Sequence, residues 1–227
     1  MAENAVGIVV GAGPGLGLAL VDRFALGGLA VAAVTRKGVA PELRQRDGVV
    51  RGYACDATDT DQVRTMFARV AAELGQPELV VFNVGTWDRA GILEISDELF
   101  VRAWRTGCFG GFLVGRAAAE AMLPRGRGTI IFTGATGSLR GGAGFAAFAV
   151  PKFGLRALAQ SMARELGPKG IHVAHVIIDG MIAAPGDTPR KGYMKPDEIA
   201  EAYYQLHRQQ PSAWTHELDL RPSVEKF

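Results

Sequence analysis

Short apolar runs alternate along this chain with longer stretches in which apolar residues recur at helical spacing. The runs Val6–Val10, Ala30–Thr35, Val50–Ala54, Leu79–Asn83, Thr129–Thr133 and Val173–Ile178 have strand length, and a shorter one follows at Glu217–Leu220. Helices are expected in the gaps, with two long ones at Leu99–Met122 and Phe148–Leu166. Strand, helix, strand in succession is the pattern of a parallel sheet. Ile130-Ile131-Phe132 does not alternate with polar residues, as expected when helices cover both faces of the sheet and neither meets water. Pro151 belongs in a first helical turn, where its missing N–H loses no partner, so the last long helix is expected to begin near Ala147.

A length of 227 residues suits one α/β domain spanning 1–227. Ala183–Lys195, rich in Pro, Gly and charge, is expected to be mobile and to act as a lid, and 196–227 to supply a C-terminal helix, the last strand and a tail. A net charge of +2 gives no basic field for nucleic acid. The longest apolar run, Phe109–Val114, is broken by glycine and far too short to span a bilayer, and the N-terminus runs into a strand without a secretion signal. The expectation is a cytoplasmic protein off the membrane. Cys55 and Cys108 have no metal-ligand spacing, so neither zinc nor a disulfide is expected.

The first strand leads into Gly11-Ala12-Gly13-Pro14-Gly15-Leu16-Gly17 and then a helical pattern from Leu18. Strand, glycine turn and helix N-terminus together offer backbone N–H groups and a positive dipole end to a pyrophosphate. The plainer alternative is an ordinary tight turn.

The spacing of Gly11, Gly15 and Gly17 resembles that of the short-chain dehydrogenase/reductase family, and the likeness runs through nearly the whole chain. Asp56 resembles the family's adenine-binding aspartate, and Phe82-Asn83-Val84-Gly85 its Asn-Asn-Ala-Gly turn. Phe148-Ala149-Val150-Pro151-Lys152 resembles its Tyr-x-x-x-Lys segment, and Gly170-Ile171-His172-Val173 the entry to its sixth strand. The resemblance implies a Rossmann-like doubly wound sheet of about seven strands. It implies a dinucleotide held by Gly11, Gly13, Gly15, Leu16, Gly17, Asp56, Asn83, Gly85, Lys152 and Gly180.

The end of the second strand bears on the choice of dinucleotide. NAD sites usually place a carboxylate there, whereas this chain has Thr35-Arg36-Lys37. A guanidinium can fork onto a 2′-phosphate, so NADP(H) is favoured over NAD(H); the alternative is a pair of solvated cations.

The family's chemistry, as the resemblance implies it, uses a tyrosine to pass the proton, a serine to steady the substrate oxygen, a lysine on the ribose and a helical asparagine for the water path. Here Lys152 is retained, while Phe148, Ala135 and Gly107 stand at the tyrosine, serine and asparagine positions. No slip of register restores them: no tyrosine lies between Tyr53 and Tyr193, and the only asparagines are Asn4 and Asn83. Ser138 is the candidate substitute hydroxyl, with Thr133 and Thr136 near it. Asp179-Gly180 replaces the usual Pro-Gly, and Ala184 the threonine that steadies the carboxamide, with Thr188 as a downstream stand-in. His172, His175, Tyr203, Tyr204 and His207 read as structural, and Tyr193 as a surface or packing residue.

Two function classes remain open. One is an NADP(H)-dependent oxidoreductase acting weakly or atypically on an unknown small carbonyl or alcohol. The other is a catalytically silent NADP(H)-binding sensor or scaffold. The two long helices resemble those with which the family builds homodimers and homotetramers, and Gly107, Gly110 and Gly111 permit close approach.

Overall fold

Val6-Gly7-Ile8-Val9-Val10 carries no polar side chain, and in the computed structural model, which describes residues 5–38, 50–186 and 191–225, it is the central strand β1 (Val6–Val10). After it come α1 (Leu16–Leu26), β2 (Ala30–Thr35), β3 (Val50–Ala54), α2 (Thr60–Glu73), β4 (Pro77–Phe82), α3 (Asp97–Trp104) and α4 (Gly110–Met122). The chain continues through β5 (Gly128–Thr133), α5 (Ala146–Leu166), β6 (Ile171–Ile178), β7 (Met181–Ile182), β8 (Tyr193–Met194), α6 (Pro196–His207) and β9 (Glu217–Leu220).

Seven strands form one sheet in the order β3-β2-β1-β4-β5-β6-β9, every pairing parallel. The path runs outward from β1 through β2 and β3, then returns to the other side of β1 at β4. That reversal opens a crevice beyond the carboxyl ends of β1 and β4, where open α/β sheets bind ligands.

Alternation along β1 builds two cores. Val6, Ile8 and Val10 pack with α2, α4 and α5 residues such as Phe67, Val114 and Leu155. Val9 faces the other way, among Leu20 and Phe24 of α1 and Tyr203 of α6. Burying such a side chain contributes about 1.5–3 kcal/mol, and both faces must be covered for the sheet to persist.

Two expectations about helices need correction. The segment foreseen as Leu99–Met122 begins earlier, because the Ser96 hydroxyl accepts from Leu99 N–H at 3.2 Å and caps α3. It is then interrupted by a widened π turn at Arg105–Phe109. Pro151 is not in the first turn of α5 but is its sixth residue, within the second turn, so the Ala147 carbonyl has no N–H to accept from four residues on. The two irregularities meet, since Gly107 in the π turn lies against the Pro151 ring.

Of the expected lid, Tyr193 and Met194 pair with Met181 and Ile182, and Ala183 N–H donates to Met194 O at 2.9 Å. Residues 187–190, including Thr188, lie outside the described residues. Among the described residues no helix is long and apolar enough to cross a membrane.

Candidate active site

The glycine turn is shaped by what a side chain would strike. Gly11 has φ +95°, and a Cβ there would stand 2.5 Å from the Asn83 carbonyl oxygen. A Cβ on Gly17 would stand 2.2 Å from Gly11 O, so α1 packs directly on the turn. Gly13 and Gly15 are different: a Cβ on either meets nothing within 4 Å, because both positions face the open crevice. Gly15 also precedes α1 with no side-chain cap; Leu18 N–H donates to Gly13 O at 3.0 Å, which leaves the Leu16 and Gly17 N–H groups without a partner among the described residues and available to an anion. Asn83 Nδ2 donates to Gly11 O at 3.2 Å and ties the end of β4 to the turn.

The crevice has two continuous parts that share Gly11, Asn83, Gly85 and Thr86. The part on the β2 side encloses about 860 Å³ and is lined by Thr35, Arg36, Asp56 and Thr58. Arg36 and Lys37 are both exposed at the end of β2, but only Arg36 lines the crevice. Asp56 Oδ1 accepts from Thr58 N–H at 2.9 Å and from the Thr58 hydroxyl at 2.8 Å, which fixes the loop after β3.

The other part, about 830 Å³, is bounded by Leu16, Ala135, Phe148, Lys152 and Asp179–Pro185. Lys152 is 6% exposed, and its Nζ donates to Thr133 O at 2.7 Å. Burial pulls its pKa down to about 8. No carboxylate pairs with it among the described residues. Its Nζ lies 3.3 Å from where a Cβ on Gly85 would stand, so the amine looks across the crevice at the Asn83–Gly85 turn.

Phe148 points its ring into a hollow over Gly137 and meets Trp87 edge to face, with centroids 4.8 Å apart. Phe145 extends this aromatic wall, 5.5 Å from Trp87. Ala135 lines the crevice, whereas Gly107 does not and packs against Pro151.

Ser138, the candidate substitute hydroxyl, is fully buried and does not line the crevice. The short helical turn Thr136–Ser138 after β5 rotates it inward. Its Oγ accepts from Ala135 N–H at 3.1 Å and lies 3.3 Å from His175 Nε2. His175 Nδ1 in turn lies 3.3 Å from Glu217, which Arg156 grips with two bonds of 2.7 Å. Burial pushes the His175 pKa down to about 4, so the imidazole is neutral near pH 7. This chain of groups braces β6, β9 and α5 from inside. Thr133 is also turned away, with its hydroxyl 2.9 Å from Tyr203.

Sequence reasoning missed one crevice group and the partners of another. Thr86 Oγ1 is enclosed at the junction of the two parts with no hydrogen-bond partner among the described residues. Asp179 accepts from the Thr136 hydroxyl and lies 3.5 Å from Arg221 and 4.0 Å from Arg140. The departure from Pro-Gly at Asp179 was visible, but its partners 43 and 42 residues away along the chain were not. Beside it, Gly180 lets the C-terminal segment pass, since a Cβ there would stand 2.7 Å from Pro222 Cδ.

A profile of the short chain dehydrogenase family matches residues 5–191. The chain belongs to this family. A crystal structure of a short-chain dehydrogenase from Rhodopseudomonas palustris is 45% identical, with 96% of this chain and 99% of that one covered and a TM-score of 0.85. An alcohol dehydrogenase from the archaeon Thermococcus sibiricus, solved with 5-hydroxy-NADP, is 26% identical over 98% of both chains, with a TM-score of 0.87. The 3-oxoacyl-[acyl-carrier-protein] reductase MabA of Mycobacterium avium is 33% identical over 175 residues, which are 77% of this chain and 66% of that reductase.

Proposed function

We propose that this short-chain dehydrogenase is an NADP(H)-dependent oxidoreductase for a small carbonyl or alcohol substrate, with turnover that is weak or atypical because Gly107, Ala135 and Phe148 stand where the family has its asparagine, serine and tyrosine relay. The observation that carries it is the open hollow at Gly13 and Gly15, which a side chain would fill, set beside the uncapped start of α1. When bound, the nicotinamide dinucleotide supplies or accepts the hydride.

The chain's own residues then have distinct tasks. Gly11, Gly13, Gly15, Leu16 and Gly17 form the pyrophosphate cradle, and Asp56 with the turn at Asn83 and Gly85 bounds the adenosine side. Arg36 reads a 2′-phosphate, and Lys37 beside it adds positive charge. Lys152 donates to ribose hydroxyls, Gly180 bounds the nicotinamide end, and the unpartnered Thr86 hydroxyl offers one more bond. The solved NADP-type complex of the Thermococcus sibiricus alcohol dehydrogenase supports the choice of cofactor.

A second reading is a silent NADP(H)-binding sensor or scaffold. Phe148, Ala135 and Gly107 at the relay positions favour it, since losing a positioned acid costs about 10²–10⁴ in rate. Both readings keep a cytoplasmic location and a homodimer or homotetramer. Assembly is supported by Trp104, Phe112 and Phe153, exposed on α3, α4 and α5; sedimentation as a strict monomer at micromolar concentration contradicts it.

The test of the cofactor is calorimetric titration with NADPH and NADH. The expected result is micromolar NADPH binding, tighter than NADH, with the difference largely lost in Arg36→Ala. Absence of binding by either nucleotide removes both readings.

A further inference from the structure

The wall where a proton donor would stand is aromatic. Phe148 and Trp87 line the crevice, and the Phe148 ring is held between Trp87 and the Gly137 backbone. Trp87 is 64% exposed, so its indole is available at the mouth. One helical turn along α5 from Phe148 stands Lys152, a buried cation without a carboxylate partner among the described residues. Asp179, the acidic group deepest in this part, is taken up by the Thr136 hydroxyl and by Arg221.

A donor is indispensable when hydride addition makes an alkoxide, because an alkoxide is about as basic as hydroxide, whose conjugate acid, water, has a pKa of about 15.7. It is dispensable when the adduct is a phenolate, whose acid has a pKa of about 10, as a tyrosine side chain does. Such an anion persists long enough to take its proton from water. Planar rings also suit the wall, since aromatic pairs gain from stacked and edge-to-face contact. A substrate that is itself a cation, such as an iminium, escapes the need for a donor as well, but the unpaired Lys152 ammonium opposes it.

We propose that the crevice reduces quinones, seated against Trp87 and Phe148 with the developing phenolate facing Lys152. This rests on the NADP(H)-dependent oxidoreductase reading above. The quinone accepts a hydride, two electrons with one proton, from the reduced nicotinamide dinucleotide, which is oxidised. The ring becomes aromatic, one oxygen carries the hydrogen and the other the negative charge. Lys152 offsets that charge; its ammonium, the stronger acid at a pKa of about 8, passes a proton to the oxygen and is reprotonated from water, which completes the hydroquinone.

The test uses menadione and 1-tetralone, bicyclic rings of similar shape whose reduced products are a phenol and an aliphatic alcohol. NADPH binding is established first, by calorimetry. With NADPH, and after subtraction of the uncatalysed reaction, kcat/KM for menadione is expected to exceed that for 1-tetralone by about 10³, within the span that a missing acid costs. Binding is read separately on protein saturated with NADP+, where no turnover occurs. Menadione is expected to quench tryptophan fluorescence with a saturable curve that Trp87→Leu abolishes, although Trp104 and Trp214 remain. Equal rates for the two substrates, or a curve unchanged in Trp87→Leu, overturn the quinone assignment and leave the cofactor reading standing. Failure to bind NADPH overturns both.

Discussion

The Phe148 ring and the Gly137 backbone are fitted to each other: a methyl group on Gly137 would stand 2.7 Å from Cε1 of that ring. The ring cannot retreat freely, because Trp87 lies against its other side. Gly137→Ala therefore forces a shift in a packed site and is expected to lower stability by about 1–3 kcal/mol. Urea denaturation of Gly137→Ala, Phe148→Ala and the double variant checks this. The double variant is expected to lose less than the two single losses added, since the clash vanishes with the ring.

Gly107 and Pro151 also pack against each other. A Cβ on Gly107 would stand 3.0 Å from Pro151 Cβ, inside the π turn. Gly107→Asn is expected to destabilise the fold by about 1–3 kcal/mol, as overpacking does. Pro151→Ala keeps the Cβ that the new side chain strikes, so Gly107→Asn is expected to cost about as much in the Pro151→Ala background as in the native protein. Thermal unfolding in which Pro151→Ala removes the cost of Gly107→Asn contradicts this contact.

Burial of the Lys152 ammonium has a signature in pH. Its folded pKa is about 8, below the roughly 10.4 of an exposed lysine. Between those values the unfolded chain binds the extra proton, so stability rises with pH across the window. Below about pH 8 both states are protonated and the cost of burying the charge is fully present. Relative to Lys152→Met, the native protein is expected to gain about 2.5 kcal/mol between pH 8 and pH 10.5. Parallel denaturation curves at the two pH values give the number.

His175 works toward the acid side. It is held neutral by burial, against the pull of Glu217 and with Lys152 and Arg156 nearby. Its folded pKa of about 4 lies below the ordinary value, so the unfolded chain takes up a proton first as pH falls. Stability attributable to His175 is complete above about pH 6.5 and declines toward pH 4. His175→Gln is expected to flatten that decline, measured as the slope of unfolding free energy against pH.

Much of the architecture could be read from the sequence, because strands buried on both faces must be apolar throughout. Ala30–Thr35 and Glu217–Leu220 stand where the pattern put them. The register that set Phe148 beside Lys152 at the crevice rests on the glycine turn and the spacing within α5. Less legible were features decided by contacts between distant segments. The π turn at Arg105–Phe109 meets Pro151, and Asp179 finds Thr136. The direction of Ser138 depends on a three-residue turn whose sequence, Thr136-Gly137-Ser138, carries no signal of which hydroxyl faces in. Thr86 escaped notice because one threonine after a glycine turn is unremarkable until its hydroxyl is found enclosed without a partner among the described residues.

The claim at the centre of this account is that the crevice still places a substrate carbonyl for hydride transfer and lacks only the proton relay. It is tested most directly by installing Phe148→Tyr together with Ala135→Ser and measuring NADPH-dependent reduction of 1-tetralone against the native protein. A gain of about 10²–10⁴ is predicted, the span that a positioned acid supplies. No gain, in a double variant that folds and binds NADPH as tightly as the native protein, would contradict the claim and favour the silent sensor or scaffold.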